Sequence, residues 1–104
     1  MKSRTIFVQN RLIPWGKYDA LALIPFLFYK GEYPDHIIIN HEKIHFAQQK
    51  ELYIIGFFFL YLFYWFKYGY NGNPFEREAA KNQSDENYLE QRKKFEWISY
   101  LPGH

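Results

Sequence analysis

Residues 52–66, LYIIGFFFLYLFYWF, carry no charge between Glu51 and Lys67. As a helix this run would be about 22 Å long, short against the ~30 Å of bilayer hydrocarbon. It is nevertheless apolar all the way round, which an ordinary surface helix is not. A chain of 104 residues has little protein with which to surround it. Three environments fit: the buried centre of a soluble cytoplasmic globule, an interface between copies in a homo-oligomer, and a membrane surface. We carry forward the membrane, as an interfacial or short anchor. Tyr61, Tyr64, Trp65 and Tyr68 would form a headgroup belt, and Lys67 a snorkelling end. Gly56 would serve as a kink or a close-packing point.

The length is that of a single domain, 1–104, large enough for one core. A net charge of +2, with no Lys/Arg run longer than two, excludes nucleic acid as the expected partner. The absence of Cys removes disulfides and thiolate chemistry and leaves the redox compartment open. Aromatic residues make up 23% of the chain, which suits a crowded core, an interface or a headgroup zone. The basic N-terminus never reaches the apolar run of a secretion signal, so no cleaved targeting peptide is expected.

Residues 4–9, β-branched and aromatic, predict a strand. Pro14-Trp15-Gly16 predicts a turn. Residues 18–30 are apolar, with Pro25 in the middle, which disfavours a helix interior and a central strand alike. An edge strand or bulge follows. Together these make a small antiparallel sheet over a 1–35 region. Asp35 is an N-cap for a helix starting near His36, which would run on into the apolar segment over 36–68. GYNGNP, residues 69–74, is a break, after which Asn73 caps a helix with Pro74 at its first position. Ser84 or Asp85 restarts a last helix, so that 73–101 is helical before a frayed Pro102-Gly103-His104 tail.

On the first of these helices lies HEKIH, residues 41–45. A step of four returns to the same helix face, so His41 and His45 can grip one Zn²⁺ while Glu42 projects beside the open position. Imidazoles hold the ion, the ion acidifies a water, and a carboxylate takes the proton. Two imidazoles leave the site one protein ligand short. Glu76 and Glu78 in NPFEREAA are the helical carboxylates on offer. They stand about 200° apart on a helix, so only one can face the metal. His36 and His104 are not ligands, since His36 points elsewhere and His104 ends the tail. Lys43, Lys50, Lys93 and Lys94 are solvated, and Gln48 and Gln49 continue the helix as its polar complement. Gln49, eight residues after His41, could also line a cleft.

Helical HEKIH followed by a helical Glu resembles the gluzincin metallopeptidases, and over residues 36–83 their membrane-associated branch of CAAX prenyl proteases and heat-shock proteases. That branch carries its third ligand in an E-x-x-A motif, often after an aromatic, matched here by Phe75-Glu76-Arg77-Glu78-Ala79. The resemblance implies a minimal zincin-like α+β fold, with the small antiparallel sheet packed on a long HExxH helix plus C-terminal helices. It implies zinc on His41, His45 and Glu76, Glu42 as general base, and hydrolysis of a peptide or protein substrate. An extended substrate would pair with an edge strand upstream of the helix, here residues 20–29. A donor to the developing oxyanion is expected too, with Tyr88 and Arg92 as candidates and Tyr100 behind them. The Asp that often follows the motif's Ala is Ala80, so the hydrogen bond it would give a zinc-binding His must come from elsewhere. The rival readings are a zinc-binding structural or regulatory module that cleaves nothing, and a membrane-anchored interaction protein.

Overall fold

The structure, a computed structural model, describes residues 5–10 and 20–103. The expected turn at Pro14-Trp15-Gly16 lies outside them. The fold is α+β, with a three-stranded sheet followed by four helices. The strands are β1 (Ile6–Gln9), β2 (Ala20–Leu23) and β3 (Phe26–Tyr29), in the order β1-β3-β2. The sheet is mixed rather than antiparallel: β2 pairs antiparallel with β3, but β1 pairs parallel with it. The reason is Pro25. It sits in the tight turn after Ile24 and folds residues 20–29 into a hairpin, where a missing N–H is harmless. The hairpin inserts β3 between its partners, so β3 is central and β2 an edge. The Pro25 carbonyl accepts a bond from the Ile6 N–H at 2.8 Å.

Helix α1 (His36–Glu51) starts where Asp35 caps it, its carboxylate accepting from the Ile38 N–H at 2.9 Å. One side of α1 closes on the sheet, where Phe46 packs with Ala22 and Leu27. Helix α2 (Ile55–Gly72) does not continue α1; the two axes meet at 113°. Tyr53 and Ile54 make the corner with φ of 56° and 62°. For a β-branched residue such as Ile54 this conformation is strained by ~1–3 kcal/mol. What holds it is packing: the bend lays Phe57 of α2 against Phe75 and Trp97 in a second core cluster.

The expected break over 69–74 is partial. Helix α2 kinks at Gly69 (φ 76°) and persists to Gly72. Helix α3 (Pro74–Asn82) then begins as expected, with Asn73 accepting from the Phe75 N–H at 3.0 Å. The last expected helix is broken up. Helix α4 spans only Tyr88–Gln91, and a 3-10 turn follows at Glu96–Tyr100. Glu51 accounts for the interruption: its carboxylate accepts from the Phe95 N–H at 2.6 Å and from the Arg92 guanidinium. These bonds pull residues 92–95 out of helical geometry, with Phe95 left-handed at φ 59°.

No single helix among the described residues is long and apolar enough to cross a membrane. Yet α2 buries only Phe57, and its outward face is hydrocarbon. Phe59, Leu62, Phe63 and Phe66, spaced at helical intervals, are exposed, Phe66 by 78%. Tyr61, Tyr64 and Tyr68, each with a hydroxyl, are half-buried on the opposite side.

Candidate metal centre

Helix α1 lies between the sheet and α3, and its inner face carries Glu42, His45, Gln48 and Gln49, all buried. Their common face follows from helical spacing: Gln48 is three residues after His45 and seven after His41. Across from them, the first turn of α3 presents Glu76. One oxygen of that carboxylate, Oε1, stands 3.1 Å from Nε2 of His41 and 3.1 Å from Nε2 of His45. The other, Oε2, accepts the Tyr61 hydroxyl of α2 at 2.6 Å. The Tyr70 hydroxyl reaches Oε1 at 3.3 Å. Glu42 stands beside the group, with donor atoms of His41, Glu42 and His45 all within 4.8 Å of one another.

The far side of each imidazole is held by an amide. Nδ1 of His45 meets Oε1 of Gln48 at 2.8 Å, and Nδ1 of His41 meets Oε1 of Gln83 at 2.7 Å. The Gln48 orientation is set by its surroundings. Its Nε2 donates to the Phe75 carbonyl at 3.1 Å and to the Glu78 carboxylate at 2.9 Å, both acceptors only. Oε1 must therefore face His45, and Nδ1 of His45 must carry the proton. With Nδ1 protonated, Nε2 is left to face the Glu76 oxygen at 3.1 Å, where it either donates a second proton to that oxygen or offers its lone pair to a metal.

The groups fit zinc. In a tetrahedral site with bonds of ~2.0–2.1 Å, ligand atoms lie about 3.3 Å apart, close to the two 3.1 Å separations here. Without a metal, a proton serves instead. Burial alone would lower the pKa of His45, but the charge and hydrogen bond of Glu76, with Glu42 and Gln48, outweigh it and lift it to about 9. Burial would raise that of Glu76; His45, His41 and Tyr61 overcome this and hold it well below the usual carboxylate range. Glu42 moves the other way. Burial pushes its carboxyl up, against the opposing pull of the two histidines.

His41, Glu42, His45 and Glu76 are thus brought together, and Tyr88 and Arg92 are not. Their partner is Glu78, the carboxylate that does not face the histidines, which is fully buried. The Tyr88 hydroxyl donates to Glu78 at 2.6 Å, and Arg92 bridges Glu78 and Glu51, reaching Glu51 at 2.8 and 3.1 Å. Neither Tyr88 nor Arg92 lines the cleft at the centre, so their expected role as oxyanion donors is corrected to a structural one. Tyr100 is likewise elsewhere, its hydroxyl accepting from Asn82 at 3.0 Å and its carbonyl from Arg77 at 2.7 Å. The hydrogen bonds looked for in place of an Asp at Ala80 come from Gln48 and Gln83. Helical spacing from His45 could have flagged Gln48; nothing in the sequence singles out Gln83, which is placed by the end of α3.

The cleft has a volume of about 590 Å³. Its floor is the cluster just described, and its walls are Leu21 of β2 and Phe58, Leu62 and Trp65 of α2. No family model, curated protein or solved structure matches this chain.

Proposed function

We propose that the protein is a zinc-dependent metallopeptidase that hydrolyses peptide bonds at a membrane surface. The observation that carries this reading is the convergence of two imidazole lone pairs and one carboxylate oxygen at the floor of an apolar cleft, with Glu42 at their side. His41, His45 and Glu76 would hold the ion. Bound there, zinc supplies Lewis acidity to a carbonyl and to water. Glu42 is placed to take a proton and return it to the leaving amine, and burial raises its pKa above the ordinary carboxylate value. Tyr61 and Tyr70 are the hydroxyl donors lining the cleft and so the candidates to meet developing negative charge. The hydroxyl of Tyr61 also holds the second oxygen of Glu76, leaving one oxygen toward the histidines.

The apolar walls favour a substrate segment with bulky hydrocarbon side chains. The membrane part of the reading rests on α2, where Phe59, Leu62, Phe63 and Phe66 face outward while Tyr61, Tyr64 and Tyr68 turn toward the protein. Water would favour the reverse arrangement, and lipid chains favour this one. Leu62 belongs both to that face and to the cleft wall, so the cleft mouth opens where the lipid would be.

The test is elemental analysis of protein purified without chelator or metal-affinity resin, beside Glu76→Ala, Glu42→Gln and Phe59→Ser/Phe66→Ser. About one zinc per chain is expected in the parent and a strong loss in Glu76→Ala. Glu42→Gln should keep zinc and lose cleavage of an apolar fluorogenic peptide library. If the parent binds zinc but cleaves nothing, and Glu42→Gln changes nothing, the protein is a zinc-binding module. Flotation with anionic vesicles should carry the parent and leave Phe59→Ser/Phe66→Ser behind. A parent that stays unbound rules out the membrane.

A further inference from the structure

Among the described residues strand β2 is the sheet edge that borders the cleft, where residues 20–22 line it. In an antiparallel pair, backbone groups turn alternately toward the partner strand and away from it. Those of Ala22 turn away from β3, because its carbonyl accepts a bond from α1 and its N–H donates to Glu42. By alternation, Ala20 and the Ile24 N–H at the hairpin turn outward as well. These are the rungs to which an extended peptide would add.

Gln49 already occupies two of them. Its Nε2 donates to the Ala22 carbonyl at 2.9 Å and its Oε1 accepts from the Ile24 N–H at 2.8 Å. One side-chain amide thus supplies the donor and the acceptor that an added strand would bring. Gln49 is 1% exposed, held between helix and sheet, and its removal from the edge would strand the buried Ala22 carbonyl and the half-buried Ile24 N–H. The sequence allows Gln49 a solvated helix face or the wall of a cleft, and the cleft wall is where it lies. Residues 20–29 do not form one continuous pairing edge: β3 is interior, and the outer half of β2 is taken.

We propose that Gln49 is a specificity-determining stop that confines backbone pairing of a bound peptide to the Ala20 end of β2. This rests on the metallopeptidase reading. A substrate chain gains ladder bonds on one side of the centre only, and on the other side must leave the strand edge after the Ala22 level. The enzyme therefore reads substrate length asymmetrically, and Gln49 also ties α1 to the sheet.

The experiment uses the zinc-loaded full chain and two series of peptide hydroxamates, one extended from each side of the zinc-binding group, with acetohydroxamate as the bare probe. In the parent, one series should stop gaining affinity beyond its first residue while the other continues to gain. In Gln49→Ala, which removes both bonds and the side chain that covers them, the stalled series should gain about five-fold for each rung recovered. A measurement on the parent covers the case in which the variant does not fold. The Gln49 side-chain amide protons should stay protected from exchange when the longest hydroxamate of each series is bound. Loss of that protection, or equal length dependence of the two series in the parent, overturns the proposal and leaves the metallopeptidase reading standing. Failure of acetohydroxamate to bind the zinc-loaded chain removes both.

Discussion

Replacing Arg92 with Met separates the structural role found for this residue from the catalytic role its position in the sequence suggested. The guanidinium lies between Glu78 and Glu51, the three side chains being 5%, 0% and 10% exposed. Removing it leaves Glu78 charged and buried, with only the Tyr88 hydroxyl and the Gln48 amide to support it. Breaking a buried pair from one side destabilises by about 3–5 kcal/mol. That is a large fraction of the ~5–15 kcal/mol available to a domain of this size. At ~4–8 °C per kcal/mol, the melting midpoint should fall by roughly 12–40 °C. The assay is urea and thermal unfolding of Arg92→Met, Glu78→Gln and the double variant. Neutralising Glu78 removes the stranded charge, so the double variant should be more stable than the sum of the singles implies, by about 1–3 kcal/mol. At 10 °C the folded fraction of Arg92→Met should still take up zinc. A loss under about 1 kcal/mol in Arg92→Met would refute the buried-network account. So would full stability combined with loss of cleavage, which would return Arg92 to the reacting centre.

Three further outcomes follow from the same geometry. Gln48→Leu should weaken zinc binding about 10–100-fold, because His45 loses the acceptor that fixes its Nδ1 proton; competition against a chromophoric chelator measures this. Asn73→Ala should destabilise by about 2 kcal/mol in urea unfolding, since the buried side chain both caps α3 and donates to the Tyr61 carbonyl at 3.2 Å. In chelator, the parent should be more stable at pH 6 than at pH 9.5. The His45 pKa is raised from 6.5 to about 9 on folding, so its contribution is complete below 6.5 and is lost as pH rises through 9. Zinc competes for the same lone pair, so its affinity should rise over that range, and a His45→Gln variant should show neither trend.

Local chemistry in the sequence was enough to place the pieces that need no distant partner. Asp35 and Asn73 cap the helices that follow them, Pro74 opens α3, and the four-residue step of HEKIH puts both imidazoles on one face. That face, together with a carboxylate among Glu76 and Glu78, defined the donor set, because helical periodicity is a property of neighbours along the chain. The resemblance then singled out Glu76. Only the tertiary structure decided how each remaining polar group is satisfied. A charged or amide side chain is ordinarily solvated; Glu78, Gln48 and Gln49 are buried because Arg92, the Phe75 carbonyl and the β2 backbone arrive from 14, 27 and 25–27 positions away. The bend falls at Tyr53 and Ile54, two residues short of the Gly56 kink point that the sequence offered, and neither residue favours that backbone conformation by itself. It exists because folding α2 back brings Phe57 onto Phe75 and Trp97, and burial of that aromatic cluster outweighs the strain of two left-handed residues.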